Sequence, residues 1–99
     1  MSFADFHFQH VRLTVLRILV EAPGYSANDS VLNQAVNALG LTCTRDQLRT
    51  NLGWLKEQRL VDLVEPAPGL LVAKVTERGA DVAGGRAIVD GVQRPSPGG

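Results

Sequence analysis

Apolar residues recur along this chain at helical spacing in three successive stretches. Two Val- and Leu-rich runs follow, and a last helical stretch comes after them. In the first stretch, residues 2–24, Phe6, His10, Leu13, Leu16 and Val20 recur at helical spacing, and Phe3, Val15 and Leu19 widen the apolar face. Ser2 with Asp5 three residues on suits a helix start. Pro23-Gly24 supplies the stop. A face this wide predicts a helix covered on more than one side, for instance by a second subunit.

The second helix is expected from about Asn28, Asp29 or Ser30, any of which suits the cap, to Leu39. Its apolar face is Val31, Leu32, Ala35, Val36 and Leu39, and Gly40 follows as a terminator. After the short connection "LTCT", Thr44 caps a third helix running to about Arg59, with Gln47 at the capping-box position and Leu48, Leu52 and Leu55 as its buried stripe. Two helices joined through about four residues make a helix-turn-helix candidate. Val61 to Glu65 and Leu70 to Val75 have strand composition and flank a Pro-Ala-Pro-Gly turn. Pro66 and Pro68 cannot donate to a ladder and belong at the turn or an edge. Thr76 caps the closing helix in "ERGADVAGGRAIVDGV", which Gly79, Gly84 and Gly85 weaken and shorten or bend.

The expected fold is therefore mainly α with a β-hairpin, an α+β winged helix-turn-helix in the order helix, helix, helix, strand, strand, helix. It occupies residues 1–92 as one domain, with 93–99 an irregular tail. At this point the residues carry a resemblance. "LRTNLGWLKEQRLVDLVEPAPGLLVAKVTERGADVAGG" resembles the recognition helix, wing and Thr-x-x-Gly pattern of winged-helix regulators of the ArsR/MarR type. "LxWLxxxxLV", followed by "VTERGADVAGG" and "GVQRP", is similar in particular to small ArsR-like proteins of Mu-like phages and prophages. The winged-helix similarity covers roughly residues 10 to 90. It implies a sequence-specific, DNA-binding transcriptional regulator of phage or prophage origin.

Charge sharpens this. Ten basic and ten acidic residues give a formal net charge of zero, which argues against strong non-specific binding to DNA. The third helix nevertheless carries Arg45, Arg49, Lys56 and Arg59 against Asp46 and Glu57, a local surplus of two. At about 100° per residue, Arg45, Arg49 and Lys56 share a narrow arc, with Thr50 and Gly53 beside them. In a helix-turn-helix this second helix enters the major groove of double-stranded DNA. The contact candidates are Thr44, Arg45, Gln47, Arg49, Thr50 and Lys56, with Lys74 and Arg78 on the wing side. A homodimer through the first and last helices would match palindromic half-sites.

Several features favour another reading. Solvated helix faces ordinarily carry Arg, Lys and Glu, and Asp46 and Glu57 would repel phosphate. The wing tip "EPAPG" contains no cation, and Glu65 sits at its base. The alternative is a winged-helix protein-protein interaction module that does not bind DNA. Trp54 points away from the Leu stripe and is expected to pack on the wing strands or the first helix, or else to anchor a partner.

The metal-sensing chemistry of ArsR-type proteins uses clustered cysteines, and this chain has only Cys43. His7 and His10 share a helix face, but nothing in the sequence brings Cys43 to them, so no metal or other cofactor is expected. No nucleophile motif or phosphate loop is present, so no enzymatic activity is expected either. A lone cysteine, the lack of a signal-peptide pattern and apolar runs too short to span a bilayer predict a cytoplasmic, membrane-free protein.

Overall fold

The computed structural model describes residues 2–96; residues 97–99 of the expected tail lie outside the described residues. Helix α1 spans Phe3–Glu21, α2 Asp29–Ala38, α3 Arg45–Glu57 and α4 Glu77–Ala83. Strands β1 (Ser26–Asn28), β2 (Val61–Ala67) and β3 (Leu70–Val75) form an antiparallel sheet in the order β1-β3-β2.

The helix starts follow the caps. Ser2 accepts from the Asp5 amide, and the Asp5 carboxylate accepts in return from the Ser2 amide. Thr44 and Gln47 form the same reciprocal pair at α3. Among the three candidates for α2, Asn28 is the cap and accepts from the Val31 amide. The ends of α2, α3 and α4 share one device. In each, two amides beyond the helix turn back onto carbonyls of its last turn: Gly40 and Leu41 onto Asn37 and Val36, Arg59 and Leu60 onto Lys56 and Leu55, Gly85 and Arg86 onto Val82 and Asp81. The left-handed residue is glycine at two of these ends and Arg59, with φ of 62°, at the third. Gly84-Gly85 thus stops α4 at Ala83, and residues 84–96 continue without regular secondary structure.

Strand β1 goes beyond the expected order. Gly24 and Tyr25, both at positive φ, turn the chain after α1 so that Ser26, Ala27 and Asn28 pair with Lys74, Ala73 and Val72 of β3. Three residues are too few for an alternating pattern to show. In the hairpin, Val61 to Val64 pair with Val75 to Val72, and the ladder is interrupted between Val64 and Ala67, where Pro66 lies. Pro66 is tolerated there because β2 is an edge strand. Gly69 closes the turn at φ of 78°, and its amide donates to the Glu65 carboxylate.

Leu16, Leu19, Leu32, Leu48, Leu52, Leu55 and Leu60 are fully buried, and with Val82 and Ala83 of α4 and Val61, Ala73 and Val75 of the sheet they form one core. Burying each stabilises the fold by about 1.5–3 kcal/mol. Helix α1 touches α2, α3, α4 and the sheet, as its wide face requires. Its buried arc is Val11, Leu13, Val15, Leu16 and Leu19, rotated away from the expected line. Phe3 is 81% and Phe6 47% exposed. On α2, Leu32 and Val36 are buried while Val31 and Leu39 face outward.

Thr76 and Gly79 lock the wing to the rest. The Thr76 hydroxyl accepts from the Gly79 amide and donates toward the carbonyls of Arg59 and Leu60. A Cβ on Gly79 would collide with the Leu60 carbonyl oxygen and sit 2.8 Å from the Val75 side chain. Glycine is therefore needed for the close approach, whatever it costs in helix propensity.

Candidate nucleic-acid interface

The α2–α3 unit is held by its turn. The Asn37 side chain donates to the Cys43 carbonyl at 2.9 Å and accepts from the Cys43 amide at 3.1 Å, bridging the connection from the helix that precedes it. Cys43 is buried beneath this bridge, its thiol donates to the Thr44 carbonyl, and burial pushes its pKa up. His7 reaches the same connection from α1, with Nε2 2.7 Å from the Thr42 carbonyl oxygen. Among the described residues no group of three or more His, Cys, Asp or Glu side chains is placed to hold a metal ion.

At the N-terminal ends of α2 and α3 the wing turn arrives as well, and four residues meet. Asp29, the first residue of α2, is fully buried, and its carboxylate receives two arginines. Arg45 donates Nε to Oδ2 at 3.1 Å and Nη2 to Oδ1 at 3.4 Å. Its Nη2 also donates to the Gly69 carbonyl at 3.1 Å, which ties the wing turn to α3. Arg49 brings Nε to 3.4 Å from Oδ2. Burial alone would raise the Asp29 pKa. The Arg45 hydrogen bond and charge, the Ser30 amide and the Arg49 charge outweigh it, so the carboxyl lies below its ordinary value.

The other sequence candidates fall in distinct places. Thr44 and Gln47 are occupied in the α3 cap. Thr50 and Lys56 are exposed on α3. Lys74 is exposed on the central strand, in register with Asp62 on one side and Ser26 on the other. Arg78 donates to the Gln58 carbonyl at 3.2 Å, at the far end of α3 from the wing turn. The outermost stripe of α3 is Asp46, Thr50, Gly53 and Glu57, by helical geometry opposite the buried stripe. The Arg45, Arg49 and Lys56 arc forms its flank toward α2 and the wing turn.

Trp54 lies on the opposite flank. The Arg12 guanidinium of α1 stacks 4.3 Å from its ring centre. Arg12 also donates to Asn51 at 2.7 Å and to the Gly91 carbonyl at 2.9 Å. Burial lowers the Arg12 pKa, with the Asp5 charge opposing. The tryptophan therefore packs on the first helix and on the C-terminal segment, whose Val89 and Val92 are buried and whose Gln93 amide donates to the Gln9 carbonyl. Asn37, Arg12 and Asn51 are organising residues that sequence patterning left unassigned, and Asp29, there only a cap candidate, is another. The signal for Asn51 was present: a polar residue beside the Leu48/Leu52 stripe needs a buried partner.

A helix-turn-helix pair backed by a hairpin and a third strand defines the chain as a winged helix-turn-helix protein. Solved structures agree on the fold. RosR of H. salinarum superposes with TM-scores of 0.60 to 0.64 at 19–20% identity, including structures of complexes designated hsRosR-S1 and hsRosR-S4. The match takes in 71–74% of this chain and 61–64% of the RosR chains, so this chain spans less than two thirds of their length. No protein-family model matches the chain. It is 45% identical over 86 residues to gp26 of Escherichia phage Mu, covering 87% of this chain and 88% of gp26. It is also 44% identical over 78 residues to an uncharacterized protein of Haemophilus influenzae, covering 79% and 76%. The chain belongs to the family of these two proteins.

Proposed function

We propose that this protein is a sequence-specific DNA-binding transcriptional regulator that sets α3 in the major groove of duplex DNA. One observation carries the reading: Arg45, Arg49 and Lys56 lie on one flank of α3, and Arg45 and Arg49 stand where the wing turn and the first turn of α2 also converge. Arginine and lysine there serve phosphate and guanine, and Thr50 adds a short polar contact. The Mu relative supports a phage or prophage origin. We place the protein with ArsR/MarR-type regulators on the sequence resemblance. It works in the cytoplasm as a binding protein rather than an enzyme; no helix among the described residues is long and apolar enough to cross a membrane. We further propose a homodimer, seated on the outward face of α1 at Phe3 and Phe6 and on the segment after α4, where Ile88 is exposed.

The test is a salt titration of binding to random duplex DNA and to a duplex selected by the protein from a randomised pool. Lys56→Glu is the variant of choice, because Lys56 is exposed and its removal leaves Asp29 paired. Reversing Arg45 or Arg49 would instead set a carboxylate against buried Asp29 and confound binding with folding. DNA reading predicts that wild-type affinity falls steeply with salt and that Lys56→Glu lowers it further. No binding at low salt overturns the proposal.

A second reading has its own observation. The outermost stripe of α3 carries Asp46 and Glu57 and no cation. Such a face suits a basic or apolar protein partner. Binding to such a partner that survives Lys56→Glu, with no affinity for DNA, would establish the interaction module instead.

A further inference from the structure

We propose that Asp29 is the positioning residue of the DNA-reading surface, presetting Arg49 for base recognition while using Arg45 as the bracket that fixes the wing turn. The inference rests on the DNA-reading proposal and deepens it by giving the two arginines different work.

The difference is in their donors. Arg45 commits Nε and Nη2 to the two oxygens of Asp29 and shares Nη2 with the Gly69 carbonyl. Its guanidinium plane is thereby pinned between α2, α3 and the wing turn. Arg49 meets Asp29 through an ion pair alone, with Nε 3.4 Å from Oδ2 and no hydrogen bond between them, so both Nη groups stay without a partner among the described residues. A bidentate contact to the O6 and N7 of guanine needs such a fork. The Asp29 carboxylate is fully buried, whereas the arginine side chains are 51% and 36% exposed. The anion is thus inaccessible to DNA while the cations reach the surface. One anion also serves two cations, so the cluster keeps a single positive charge.

Two consequences follow from holding a cationic fork before DNA arrives. Less side-chain entropy is lost on binding, which favours the complex that uses the fixed geometry. Cancelling one of two charges weakens the attraction to phosphate that all sequences share. Both act to widen the gap between the right sequence and any other. Removing the Asp29 charge should therefore loosen discrimination while leaving non-specific affinity equal or stronger. A residue that merely held the fold together would, when lost, weaken both alike.

The experiment uses the full-length protein, Asp29→Asn, Arg49→Lys and the double variant. The probes are a duplex selected by the wild type from a randomised pool and a random duplex of equal length, across a salt series. Asp29→Asn is expected to lose roughly tenfold in affinity for the selected duplex, to hold or gain affinity for the random duplex, and to show a steeper salt dependence. Arg49→Lys keeps the charge and loses the fork, so it should lose discrimination similarly, and the double variant should be no worse than Arg49→Lys alone. Unaltered discrimination in Asp29→Asn, or equal losses on both duplexes, overturns the role of Asp29 while the DNA-reading proposal stands. Wild-type protein that binds neither duplex at low salt overturns that proposal and this inference together. Should Asp29→Asn fail to fold, side-chain NMR of the Arg49 Nε–H in the free wild type still decides: an ordered signal is expected, and a mobile one overturns the inference.

Discussion

Asp29 joins a stability effect to a site effect in one side chain. Its carboxyl is held below the ordinary value of 3.8 in the folded state, chiefly by Arg45 once the opposing effect of burial is overcome. A depressed carboxyl contributes stability that is fully present above the unfolded-state value, near pH 4, and is lost as the pH falls through the lower folded value. Acid titration of the melting temperature should show this loss, and Asp29→Asn should flatten it. At neutral pH the same variant is expected to lower stability by roughly 1–3 kcal/mol, since two charge-assisted partners are weakened at a buried position. Gly79 is the other residue whose importance is local and steric. Its Cβ position is filled by the Leu60 backbone and the Val75 side chain. Gly79→Ala should destabilise by about 1–3 kcal/mol in urea unfolding despite the better helix propensity of alanine.

At the scale of the element, α3 combines a well-specified helix with an unusual outer face. Its cap, its Leu48/Leu52/Leu55 stripe and its starting residue are as sequence patterning expects. Gly53, mid-helix, meets nothing within 4 Å where a Cβ would stand. Gly53→Ala should accordingly stabilise the protein by about 0.8–1 kcal/mol. Measured beside DNA affinity, the same variant locates the contact. Reduced affinity in a stabilised protein means that a DNA backbone approaches α3 at Gly53, and unchanged affinity places the contact on the arginine flank alone. The wing is legible as a hairpin but not as a sheet. Its third strand comes from the link between α1 and α2, and no local pattern announces a three-residue strand paired with a partner some 45 residues on.

For the whole molecule, α1 is the organising element. It contacts the other three helices and the sheet, yet its first turn leaves Phe3 and Phe6 to solvent. Phe6 packs edge-on to His10, with ring centres 4.6 Å apart. If two copies meet on this face, Phe3→Asp combined with Phe6→Asp should shift the sedimentation mass from dimer to monomer. Thermal stability of the remaining fold should change by no more than about 0.5 kcal/mol per exposed site. A dimeric mass in that double variant would move the interface elsewhere. The zero net charge belongs to this scale too. A neutral chain has little non-specific attraction to DNA, so under the DNA-reading proposal discrimination would fall to the local arrangement around α3.

Local chemistry and periodicity determined the helices, the starting caps of α1, α3 and α4, the hairpin and the stripe that buries α3, because each depends on residues only three or four apart or on alternation within one run. The basic flank of α3 was legible for the same reason: Arg45, Arg49 and Lys56 are brought together by helix geometry alone. Tertiary structure decided the rest. It rotated the buried arc of α1, since a helix touched from several sides has no single stripe to read. It set Trp54 against Arg12 and Gly91, and it added β1 to the sheet. It also turned Asp29 from one cap candidate among three into the partner of two arginines, because that contact crosses sixteen residues to Arg45 and closes only when α2, α3 and the wing turn have packed.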